Sequence, residues 1–94
     1  IRLNPARMNS DLAAAYHNRG TARMALGDRQ GAMEDFNQAL KINPKDAGAY
    51  YERGLVRAQM GEKQKAIQDF QLAAKLRLEQ GSTQGFKDAQ YHIK

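Results

Sequence analysis

The stretch that decides the fold is AYHNRGTARMALGD, residues 15–28, because AYYERGLVRAQMGE returns at residues 49–62. The matches stay in one register: Tyr16 with Tyr50, Arg19 with Arg53, Gly20 with Gly54, Arg23 with Arg57 and Gly27 with Gly61. Downstream, Ala32, Asp35, Phe36, Ala39 and Lys41 pair with Ala66, Asp69, Phe70, Ala73 and Lys75, and every offset is 34 residues. A fixed period of this size marks a stacked array of supersecondary units.

Within each unit the apolar spacing is helical. Ala32, Phe36, Ala39 and Leu40 fall at i, i+4, i+7 and i+8, and Ala66, Phe70, Ala73 and Ala74 repeat that stripe. Gly27-Asp28 and Gly61-Glu62 read as helix stops that offer an acidic residue to the next helix. Asn43-Pro44 breaks the chain again, and Asp46 suits an N-cap. These signals predict helices over about residues 11–26, 29–42, 47–60 and 63–79, paired as helix, tight turn, helix. Gly20 and Ala32 are small where antiparallel helices must approach closely, and Tyr16 and Phe36 fill the remaining space.

This pattern resembles the tetratricopeptide repeat (TPR) family, whose 34-residue unit reads W-x2-L-G-x2-Y, then A-x3-F, then P. Tyr16, Gly20, Ala32, Phe36 and Pro44 match in one unit, and Tyr50, Gly54, Ala66 and Phe70 in the next. Arg19 and Arg53 stand where Leu is usual, Arg23 and Arg57 where Tyr is usual, and Leu78 where Pro is usual. Since both units make the same Arg choices, those departures read as a habit of the sequence rather than decay. The resemblance implies an all-α fold, a right-handed α-solenoid of antiparallel helix pairs. It divides the chain into residues 1–12 as the tail of an upstream repeat and a linker, 13–46 and 47–80 as two repeats, and 81–94 as a capping helix.

The ends carry their own signals. IRLNP at residues 1–5 is similar to LKINP at 40–44, as expected of a chain cut from a longer array. Pro5 lies fifteen residues before Gly20 but Pro44 only ten before Gly54, so the first connection is longer. Flank exposure is expected there, with Leu12, Ala15 and Met8 open to self-association or covered by residues 1–12 folding back. At the other end Gly81 and Ser82 read as a stop and an N-cap. Phe86, Ala89 and Ile93 then place one apolar face on a fifth, capping helix.

In the family, the first helix of each unit lines a concave groove that holds partner peptides. Carried over by position, the resemblance implies that His17, Asn18, Thr21, Met24 and Ala25 line it in the first unit. In the second they are Tyr51, Glu52, Leu55, Ala58 and Gln59. These are the places where the two units stop agreeing: the scaffold is repeated and the face is individual. Some members hold an acidic C-terminal tail with a Lys after the aromatic residue and an Asn four residues on. Here those pairs are His17 with Thr21 and Tyr51 with Leu55, so that clamp is missing. The remaining mix of apolar and hydrogen-bonding groups suits a peptide with one or two apolar anchors.

Composition limits the alternatives. Without cysteine, disulfides, thiolate metal sites and a Cys nucleophile are excluded, and the compartment stays open with the cytoplasm as the weak preference. Lys and Arg number 15 against 10 Asp and Glu, but they are interleaved along the chain rather than gathered into a nucleic-acid patch. No apolar run is long enough to span a bilayer. His17 and His92 stand without paired carboxylates, and each Gly is explained by a turn or a close contact rather than a phosphate loop. The expectation is a non-catalytic module that binds a protein or peptide, without cofactor, metal, nucleic acid or membrane insertion, with weak homo-oligomerisation as the alternative role.

Overall fold

The computed structural model describes residues 4–81. Four helices follow in order, α1 (Pro5–Ala25), α2 (Arg29–Ile42), α3 (Ala47–Gln59) and α4 (Lys63–Glu79), with no strand among the described residues. The chain divides into two compact units at residues 44 and 45, so α1 pairs with α2 and α3 with α4. The expected capping helix, with Phe86, Ala89, His92 and Ile93, lies outside the described residues.

The turn chemistry follows the sequence closely. Gly27 and Gly61 both have φ 81°, a left-handed conformation that a side chain disfavours. The Gly27 N–H donates to Met24 O at 3.0 Å and the Asp28 N–H to Arg23 O at 2.8 Å, which closes α1 with paired 5→2 and 6→1 bonds. Gly61 and Glu62 repeat this on Ala58 O and Arg57 O at 3.1 and 2.8 Å. Asp28 then caps α2 by accepting from the Gly31 N–H at 2.9 Å, and Asp46 caps α3 by accepting from Ala49 at 3.1 Å. Glu62 makes no side-chain cap for α4. Gly81, with φ 78°, donates to Leu78 O at 3.0 Å and ends α4 where a stop was expected.

Inside each unit a phenylalanine ring fills the space that a glycine leaves. A Cβ on Gly20 would lie 2.8 Å from Phe36 Cε1, and one on Gly54 would lie 2.7 Å from Phe70 Cε1. Phe36, Ala32 and Ala39 are fully buried, as are Val56, Ala49 and Ala73, with Phe70 nearly so. The small positions are therefore set by the ring they accommodate. Tyr16 departs from its expected role as a core filler. It is half-buried, and its ring carries the Arg19 guanidinium 5.6 Å above it.

α1 also departs from expectation at its start. It begins at Pro5 rather than near residue 11, whereas the position equivalent to the start of α3 is Ala13. Asn4 caps it by accepting from the Ala6 N–H at 3.0 Å, and Pro5 occupies the first turn, where its missing N–H is harmless. The same Asn-Pro pair at 43–44 does the opposite, because Asn43 terminates α2 and Asp46 restarts the chain. No helix-breaking residue separates Pro5 from Ala13, and residues 5–12 of the expected 1–12 tail and linker are helical.

Candidate functional site

The face expected to bind a partner is set by helical spacing on the first helix of each unit. On α1, His17, Thr21 and Met24 fall at i, i+4 and i+7, with Asn18 and Ala25 one step round. His17 and Met24 are half-buried, while Asn18, Thr21 and Ala25 are exposed. The Thr21 hydroxyl donates to His17 O at 3.0 Å, back along the helix. On α3, Tyr51, Leu55 and Ala58 share a face, with Glu52 and Gln59 beside them. Tyr51, Glu52 and Leu55 are half-buried, and Ala58 and Gln59 are exposed.

His17 and Tyr51 do the same structural job with different chemistry. The His17 and Phe36 rings form a T-shaped pair at a centroid distance of 5.9 Å and 83° between planes. Tyr51 lies on Phe70 at 5.7 Å and 51°. One side of each ring rests on the unit's central phenylalanine, so each enters solution from a fixed base. Tyr51 and Tyr50 also pack against the buried Ala73 and Ala74 of α4.

A second feature ties the two helices of each unit together, and reading the sequence as packing alone overlooked it. Asp35 and Asp69 are each 1% exposed inside the apolar stripe of the second helix. Arg19 holds Asp35 with a two-pronged grip, Nε at 2.9 Å and Nη2 at 2.8 Å, and Arg23 Nη1 stands 3.4 Å away. Arg53 holds Asp69 in the same way at 2.9 and 2.7 Å, and Arg57 Nη1 adds a third bond at 3.0 Å. The planar guanidinium fork matches a carboxylate in a way that Lys cannot. The signal was present in the sequence: a carboxylate on a core stripe, sixteen residues after an Arg, twice. The Arg19 hydrogen bonds hold the Asp35 carboxyl below its ordinary range, and the charges of Arg19 and Arg23 add to the effect against burial. The same pairing raises Arg19.

Each Arg of the repeated motif stands against a buried Asp, and Arg23 Nε lies 3.9 Å from the Asp28 carboxylate as well. No group of His, Asp and Glu that could hold a metal ion occurs among the described residues. No helix among them is long and apolar enough to cross a membrane.

Comparison with known proteins agrees with this architecture. A family model described as a TPR repeat matches residues 20–61, and one described as a tetratricopeptide repeat matches residues 47–80. No curated protein matches the chain. Among solved structures, the crystal structure of MamA is similar with a TM-score of 0.64 and 26% sequence identity. That similarity covers 85% of this chain and 57% of MamA, so the chain spans little more than half the length of that relative. With matching repeat models over both helix pairs and the 34-residue period between them, the chain belongs to the tetratricopeptide repeat family.

Proposed function

We propose that this protein is a non-catalytic scaffold or adaptor whose first helices, α1 and α3, present a binding face for a peptide or partner segment. TPR repeats generally mediate protein–protein interactions, and the family is generally non-catalytic. The observation that carries the finer reading is the contrast between His17 and Tyr51. Both stand on the central phenylalanine of their unit, yet one offers an imidazole and the other a phenol. Thr21 against Leu55 and Asn18 against Glu52 vary in the same way, while Arg19, Gly20 and Arg23 are repeated unchanged in Arg53, Gly54 and Arg57. Variation at these positions beside an unchanged Arg-Gly frame suits recognition, with Tyr51 and Leu55 as apolar anchors and Glu52, Gln59, Asn18 and His17 as hydrogen-bonding groups.

Random peptides selected on the immobilised protein and titrated into the 15N-labelled chain test this reading. Amide shifts are expected at His17, Thr21, Tyr51 and Leu55. Shifts confined to Gln68, Gln71 and Lys75 on α4 would overturn it.

Self-association is a second reading, favoured by a different surface. Met8 and Leu12 on α1 are 51% and 48% exposed, and Ala15 beside them is exposed too. Exposed apolar stripes of this kind tend to acquire partners.

A further inference from the structure

The charges of the unit formed by α3 and α4 are sorted by side. α3 carries three charged residues, Glu52, Arg53 and Arg57. Arg53 and Arg57 each lie two positions from Leu55, hence about 160° round the helix from it. Both turn onto Asp69, with bonds of 2.9 and 2.7 Å from Arg53 and 3.0 Å from Arg57. Their side chains keep only 15% and 18% of their surface in solvent. Glu52 lies on the other side, next to Tyr51 and three residues before Leu55. Among the residues of α3, the face that holds Tyr51, Leu55, Ala58 and Gln59 therefore carries one charge, and it is negative.

The exposed cations of this unit stand elsewhere. Lys63, Lys65 and Lys75 are on α4, and Lys65 Nζ lies 3.6 Å from the Glu62 carboxylate. Lys45 stands before the Asp46 cap of α3, about two turns ahead of Glu52, where the Gln80 side chain donates to its carbonyl at 3.2 Å. The chain as a whole has a formal charge of +5 and repels cations at long range. Surface charges are largely screened beyond about 8 Å at physiological ionic strength, so the group that touches the partner decides which sign is preferred.

Spacing couples that carboxylate to the apolar anchors. Tyr51 and Leu55 are one turn apart, and Glu52 and Leu55 are neighbours at i and i+3, with about 5–6 Å between Cβ atoms. An extended peptide repeats its side chains on one side every two residues, about 7 Å. An apolar residue seated against Tyr51 and Leu55 then places the side chain two residues away beside Glu52. The Tyr51 ring there also favours a cation, as the Tyr50 ring does for Arg53 at 5.4 Å. An acidic side chain at the same place would meet a carboxylate, with no cation of α3 on that side.

We infer that the partner of this face is a basic peptide, an extended segment whose apolar residue sits on Tyr51 and Leu55 and whose Lys or Arg, two residues away, is taken by Glu52. This rests on the groove reading and names the chemistry of its partner.

Peptides selected from a random library on the immobilised full chain test it. Lys or Arg is expected to be enriched two residues from an apolar position. For one such peptide, Glu52→Gln is expected to weaken binding about threefold and Glu52→Lys about tenfold, with helical content unchanged. Exchanging the peptide's basic residue for Glu should reverse the order, so that Glu52→Lys binds the acidic peptide better than the native chain does. Selected peptides that are neutral or acidic at that position, or a basic one indifferent to Glu52→Lys, would overturn the assignment. In either case amide shifts at Tyr51 and Leu55 leave the groove reading standing. Selected peptides that shift no amide of α3 would overturn both.

Discussion

Arg53 grips Asp69 through two near-parallel N–H···O bonds of 2.9 and 2.7 Å, with only 15% of the arginine side chain and 1% of the aspartate in solvent. Arg53 stands where the family's usual unit has Leu, and its pair with Asp69 joins α3 to α4 by charge. A desolvated pair of this kind contributes little over a well-packed apolar pair, but removing one partner strands the other. Arg57 Nε, buried nearby without a hydrogen-bond partner, shows how little slack the cluster has.

Arg53→Leu is therefore expected to destabilise the fold by about 3–5 kcal/mol, because Asp69 stays buried with less compensation. Adding Asp69→Leu should recover at least half of that loss. Urea unfolding of the two variants checks it, and a double variant no more stable than the single one contradicts the account.

Gly54→Ala places a methyl group 2.7 Å from the Phe70 ring, so Phe70 must shift in a packed interior. The expected loss is about 1–3 kcal/mol. Gly61→Ala meets nothing within 4 Å but strains a backbone at φ 81°, with an expected loss of about 1–2 kcal/mol. Crystal structures of the variants separate the causes: a moved ring in the first, an altered turn in the second.

Stability should fall in acid through Asp35. Its carboxyl is held below the ordinary range by the Arg19 hydrogen bonds, so the folded state binds its proton less readily than the unfolded chain. Its contribution is fully present above the unfolded value, about pH 4, and is lost as pH falls through the lowered folded value. Unfolding midpoints measured from neutral pH to about pH 2 should show this loss, and Asp35→Asn should flatten that part of the curve.

Much of this structure was legible in the sequence. The Gly27 and Gly61 turns, the Asp28 and Asp46 caps and the ends of α2 and α4 follow from short-range rules, because each depends on a few neighbouring residues. What short-range rules could not supply was the meaning of Asn4-Pro5, since the same dipeptide ends a helix at 43–44 and begins one here. The Arg19–Asp35 and Arg53–Asp69 pairs were likewise missed, because their partners lie on different helices and each residue alone reads as packing or surface. The groove positions were read from family resemblance. Their helical register is set within each unit, and their role rests on the variation between His17 and Tyr51.

The most direct measurement of the central claim is the affinity of one selected peptide for the native chain, for Tyr51→Ala with Leu55→Ala, and for Gln68→Ala with Gln71→Ala. The account predicts a loss of at least about tenfold for the α3 double variant, as expected on truncating apolar anchors, and native affinity for the α4 double variant. Native affinity in the α3 variant, with the loss appearing in the α4 variant, would contradict it.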